Sequence, residues 1–192
     1  DNQIRMFDNS RDALGIALKR LGPNYNTEDP AVVRQAADLL IQQKQQGIVK
    51  AYQVDQTKEA MAIGEAALAL VWSGDAQYAI DLNEDLAYAI PKEGSNVWVD
   101  CMVIPKTAKN KENAEKFIDF LCRPDIAKLN CEAIWYSSPN AGAIELMGEA
   151  YTSNTTMNPS EEALAGLEYF NDIEGAFLEL YNTLWLEVKN AK

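Results

Sequence analysis

The sequence predicts an α/β protein with a mainly parallel sheet, on three observations. Short apolar runs alternate with amphipathic helical stretches, the pattern of strands joined by helical crossovers. Helix starts carry capping residues, as at Asn9-Ser10 and Asp29-Pro30. Proline closes two of the apolar runs, at Pro91 and Pro105. With 192 residues, 47% of them apolar, the chain is long enough to bury a core as one domain or two small ones.

The elements follow in order. Ile4 to Phe7 reads as a strand. A helix opening at Asn9-Ser10-Arg11-Asp12 puts Ala13, Leu14, Ala17, Leu18 and Leu21 on one face, and Gly22-Pro23 stops it. Asp29-Pro30 opens a second helix that runs to Gly47. Val49 to Val54 reads as a strand, Lys58 to Ile63 as a short helix, and Ala66 to Trp72 as a buried strand. Ser73-Gly74-Asp75 begins a helix through about Asp81. Leu86 to Ile90 and Val97 to Ile104 are expected strands. Asn110 caps a helix with Ala114, Phe117, Ile118 and Leu121 on its apolar face, and Pro124 to Ile134 is helical again. Residues 135–158 are rich in Ser, Asn, Gly and Pro and are expected to be irregular. A closing helix spans Asn171 to Lys189, with Ile173, Phe177, Leu180, Tyr181, Leu184 and Val188 inward. Trp135 and Trp185 are read as packing residues.

Charge and composition exclude several function classes. There are 17 basic and 29 acidic residues, a net −12, so the surface repels nucleic acid and anionic membranes. The chain has no histidine, which removes Ser-His and Cys-His catalysis and the commonest zinc ligand. Cys101, Cys122 and Cys131 are odd in number with no C-x-x-C spacing, so buried free thiols are expected rather than a disulfide framework or thiolate metal site. Asp81-Leu82-Asn83-Glu84-Asp85 starts like a calcium loop but has Leu86 where Gly is needed and Lys92 where Glu is needed. No metal and no cofactor is expected. No apolar run approaches the ~20 residues that span a bilayer.

Val97-Trp98-Val99-Asp100 is the stretch with the clearest chemistry. On a strand, Trp98 and Asp100 point the same way. An aromatic face beside a carboxylate receives an organic ammonium ion through the ring quadrupole and the full negative charge. The residues alone fit that reading and also a plain strand with a core aromatic and a rim charge. Trp72, before Ser73-Gly74-Asp75, is a second candidate, and its alternative is core packing. Asp12 fits either a ligand contact or an acidic residue in a capped first turn.

The stretches MFDNSRDALGIALKRLG, GEAALALVWSGDA, IPKEGSNVWVDCMVIPKTAKNKENAEKFIDFLCRPDIA and IWYSSPN together resemble the bacterial spermidine/putrescine-binding protein family, PotD-like substrate-binding components of polyamine ABC importers. The resemblance is collinear over nearly the whole chain. It implies a type II periplasmic-binding-protein-like, two-lobed architecture, truncated here at the N-terminus. Residues 1–98 would be a second-lobe segment, 99–140 a segment returning to the first lobe, and 141–192 second-lobe closing helices.

The function so implied is an extracytoplasmic protein, not an enzyme, that captures a polyamine (spermidine or putrescine) and hands it to an ABC permease. It would sit in the periplasm or on the outer face of the cytoplasmic membrane, free, lipid-anchored or permease-fused. The family's pocket residues match Trp72, Trp98 and Tyr136 as aromatics, and Asp100 and Asp12 as carboxylates. Asn9 falls where some members carry Asp, and Phe170 where some carry a polar amide. Trp98 is similar to spermidine-preferring members. Taken in isolation as a piece of a larger protein, the chain is expected to bind polyamine weakly or not at all, and to dimerise or swap elements through exposed sheet edges. The competing readings are a binding protein for another small solute and a glycoside hydrolase using Asp100 with Asp12 or Asp75, which would need carboxylates roughly 5–10 Å apart.

Overall fold

The computed structural model describes residues 4–22 and 24–192. In chain order the elements are β1 (Ile4–Phe7), α1 (Ser10–Leu21), α2 (Pro30–Gln45), β2 (Val49–Gln53), α3 (Gln56–Ala62), β3 (Leu68–Ala69), α4 (Ser73–Leu82), β4 (Ser95–Val97), α5 (Lys111–Leu121), α6 (Pro124–Ile134), α7 (Ala141–Thr152), α8 (Glu161–Ala165), β5 (Leu167–Tyr169) and α9 (Gly175–Asn190). They form two compact units: residues 1–98 with 161–192, and residues 99–160. The second unit therefore groups residues 141–160 with 99–140.

In the first unit a three-stranded sheet has the order β2-β1-β3, and both pairings are parallel. A separate two-stranded sheet pairs β4 with β5, also parallel. The parallel sheet is as expected, and α1 and α2, which connect β1 to β2, supply the core together with α9. Ala13, Leu14, Ala17 and Leu18 of α1 meet Val33, Ala36, Ala37 and Leu40 of α2 and Tyr181, Leu184 and Val188 of α9, with Met6 of β1 beneath. Small alanines on α1 and α2 let the two helices approach closely, and the larger side chains fill the space between them. The inward residues of the closing helix are those its periodicity indicates.

Local signals account for the helix boundaries. The Asn9 side chain accepts from Arg11 and Asp12 N–H and starts α1, and Gly22 ends it in the left-handed region at φ 100°. Pro23 lies outside the described residues. Asp29 accepts from Ala31 N–H ahead of Pro30 and starts α2. Gly15 faces Tyr25 so closely that a β-carbon would overlap the Tyr25 ring, and Tyr25 is itself buried. Gly15→Ala is expected to cost about 1–3 kcal/mol through overpacking, read as a lower chemical-denaturation midpoint with an unchanged slope.

The strands depart from expectation. The run expected over residues 66–72 is a strand only at Leu68–Ala69, and Leu68 is exposed rather than buried. Leu86–Ile90 forms no strand, and the run expected over residues 97–104 is a strand only at Ser95–Val97. A strand exists only where a neighbour continues the ladder. Here β5 offers three residues, so pairing stops at Val97 opposite Tyr169.

The second unit is helical. Its α6 and α7 pack around Cys131, Tyr151 and Met157, with Ile144 and Met147 beside them. Segment 135–158 is not irregular as expected, because it contains α7, started by Asn140 accepting from Ala143 N–H. The apolar face of α5 is present but largely uncovered: no α5 residue is buried, and Phe117 and Phe120 stack on each other at 6.5 Å in exposed positions. All three cysteines are free, but only Cys131 is buried; Cys101 and Cys122 are exposed, which corrects the expectation for those two.

Candidate functional site

The candidate site is built inside the first unit by the start of α1, the start of α4 and the end of β4. The cap at Asn9 fixes the first turn of α1 and turns Asp12 inward, where it is only 6% exposed. Asn96 on β4 donates from Nδ2 to Asp12 Oδ1 at 3.2 Å. Among the described residues no cationic side chain forms an ion pair with Asp12. Its neighbour Arg11 is engaged elsewhere: the guanidinium lies 4.7 Å from the Phe170 ring centre and 5.3 Å from that of Tyr181, and donates to the Asn171 carbonyl.

Burial therefore dominates the Asp12 environment and pushes its pKa from 3.8 up to about 6, against the Asn96 hydrogen bond and the Arg11 charge. Tyr25, after α1, is pushed up to about 12, first by burial and further by the carboxylates of Asp12 and Glu168. Glu168 on β5 accepts from Lys19 Nζ and from Tyr25 N–H. A buried acid with no cation of its own carries an electrostatic cost that a ligand cation relieves.

The aromatic side of the site is a chain of three rings. Trp72, half-buried at the N-cap of α4, lies 5.0 Å from Phe7 and 5.8 Å from Trp98, measured between ring centres. Trp98 is 39% exposed and meets Trp72 edge-to-face. Asn96 joins the two halves, because it bonds Asp12 and lies two residues before Trp98.

Of the five residues predicted from sequence, Asp12, Trp72 and Trp98 belong to the first unit. Asp100 and Tyr136 belong to the second. The shared strand face expected for Trp98 and Asp100 is absent, since β4 ends at Val97 and residues 98–105 form no strand. Asp100 is exposed. Tyr136 is half-buried just past α6, and its carbonyl accepts the Cys131 thiol at 2.8 Å. Trp135 closes α6 in the left-handed region. Trp185 packs as expected, edge-on to Tyr52 at 5.9 Å.

Asn96 and Phe7 were not singled out from sequence. A polar residue sharing the strand parity of Trp98 was the available signal for Asn96; Phe7 carried none beyond apolarity. A separate cavity of 480 Å³ in the first unit is lined by Met6, Leu70, Ala76, Ile80, Leu86 and Tyr88 among others, and contains none of the predicted residues. Among the described residues no group of His, Cys, Asp or Glu could hold a metal ion. No described helix is long and apolar enough to cross a membrane.

A spermidine/putrescine-binding periplasmic protein of Escherichia coli is 35% identical over 186 residues, which are 97% of this chain and 53% of that protein. A structure titled as a putative spermidine/putrescine ABC transporter from Listeria monocytogenes superimposes with a TM-score of 0.92 at 39% identity, over 100% of this chain and 58% of that one. The Tp0655 lipoprotein of Treponema pallidum superimposes with a TM-score of 0.78 at 25% identity, over 97% of this chain and 57% of that one. The chain spans about half the length of the curated relatives it matches. The profile described as bacterial extracellular solute-binding protein matches residues 2–159, and the chain belongs to that family.

Proposed function

We propose that this chain carries a polyamine-capturing site of an extracytoplasmic binding protein that serves an ABC importer, located in the periplasm or on the outer face of the cytoplasmic membrane. The observation that carries the reading is Asp12, a buried carboxylate with no cationic partner among the described residues, linked through Asn96 to the strand that leads into Trp98. A polyamine brings ammonium groups spaced along an apolar chain. One ammonium neutralises Asp12, and the methylenes and a second ammonium lie along the rings of Trp98 and Trp72. Asp100 and Tyr136 are further proposed ligand residues. In lobe terms, we assign residues 1–98 and 141–192 to the second lobe and residues 99–140 to the segment returning to the first.

The names of the relatives support spermidine and putrescine as the ligand class. Binding rather than turnover fits the inventory, with no histidine in the chain and Asp75 held by Lys58 at 2.9 Å. Trp98→Ala is expected to weaken spermidine binding about tenfold, the loss of roughly 1.4 kcal/mol of cation–π contact. Calorimetric titration checks this: equal affinity in the two proteins removes Trp98 from the site, and affinity unchanged by both Trp98→Ala and Asp12→Asn rejects the reading.

A further inference from the structure

We propose that Asn96 is a positioning residue of this cation site: it ties down one oxygen of Asp12, leaves the other to the ligand, and makes capture of an ammonium group an exchange for a proton on Asp12. The inference rests on the polyamine reading above and goes beyond it by naming the residue that sets the exchange.

The geometry carries it. Asp12 Oδ1 is committed to Asn96 Nδ2, so Oδ2 is the oxygen available to an incoming N–H. Asn96 is neutral, so it orients the carboxylate without supplying the charge that burial calls for. The titratable and charged groups around Asp12 do not supply it either. On α1, Arg11 is turned to Phe170, Tyr181 and the Asn171 carbonyl. After α1, Tyr25 is a neutral phenol, and Glu168 beyond it on β5 is bound by Lys19. β4 contributes only Ser95 and Asn96. On β1, Arg5 is paired with Glu65 and Gln53, and on α9 Lys189 is paired with Asp8.

Near pH 6 the empty site is accordingly protonated about half the time, and burial is the cause. In the exchange, the Asp12 carboxylic acid O–H bond breaks and the proton passes to water. The carboxylate then accepts an N–H from the still-protonated ammonium group, so the complex gains one positive charge from the ligand and returns one to solvent.

Two readouts test this in the folded protein. The Asp12 carboxyl titration, followed by NMR, should have a midpoint of about 6 without ligand. In Asn96→Ala it should move upward by roughly half a pH unit, because a hydrogen bond favouring the charged form is gone. Asn96→Ser, which restores a donor, should recover part of that shift. Saturating spermidine should lower the wild-type midpoint, and calorimetry near the midpoint in buffers of different ionisation heat should show about half a proton released per spermidine bound. An unchanged ligand-free midpoint in Asn96→Ala overturns the role of Asn96 whether or not spermidine binds. If spermidine leaves the midpoint unmoved in every variant, the polyamine reading fails instead, and the proton exchange with it.

Discussion

Asp12→Asn is expected to make the protein more stable and worse at its proposed task. Burial raises the Asp12 pKa from 3.8 to about 6, so the folded state resists the charged form. Below about pH 4 the carboxyl is protonated in both folded and unfolded chains and nothing is lost. Between about 4 and 6 the unfolded chain gives up its proton first, and stability falls as pH rises. Above about 6 the whole penalty is present, as much as about 3 kcal/mol for a shift of roughly two units. The substitution keeps an oxygen to accept from Asn96 and removes the charge. The stability gap over wild type should therefore open between about pH 4 and 6 and stay level at neutrality. Urea denaturation across that range checks the sign; a gap that widens on acidification instead would contradict it. Spermidine binding should fall in the same variant, since the one buried charge offered to the ligand is gone. Opposite effects on stability and binding are the signature of a group retained for function.

Leu14→Ala should act in the other way, lowering stability by about 3 kcal/mol while leaving the site chemistry in place. Leu14 is fully buried on α1 where α2 and α9 converge. Truncation removes apolar burial and leaves a void among side chains already held by three helices, which limits how far they can collapse into it. The Asp12 titration midpoint should stay near its wild-type value in the folded variant, because Asn96, not Leu14, bonds that carboxylate and Asn9 fixes the backbone beneath it. A cost below about 1 kcal/mol would mean that the helices close the gap freely.

Local chemistry was readable and pairing was not. Asn9 and Asp29-Pro30 mark helix starts through their own side chains and backbone, so α1 and α2 fall where a sequence reading puts them. The α6 boundaries do too, with Pro124 at the first helical position. Strands at 66–72, 86–90 and 97–104 were overestimated for one reason. Apolar runs show that a segment can pair, but its extent is set by a neighbour elsewhere in the chain. The helix α7 was hidden by Gly142 and Gly148, the latter in a non-helical conformation, although Ala143, Met147 and Tyr151 keep a four-residue spacing.

At the site, Asp12, Trp72 and Trp98 were visible as residue types, and the structure bonds Asp12 to Asn96, two residues before Trp98. Neither the burial of Asp12 nor its bond to Asn96, 84 positions away, has a sequence signature. Both depend on tertiary packing.

The central claim is that Asp12 and the Trp72–Trp98 pair receive a polyamine. Calorimetry of spermidine with the folded chain at about pH 8, where Asp12 is charged, tests it most directly. One saturable site with a Kd of about 1 mM or tighter, abolished by Asp12→Asn, is the predicted result. Equal binding by Asp12→Asn, or binding that substitution of neither Trp72 nor Trp98 weakens, would contradict it.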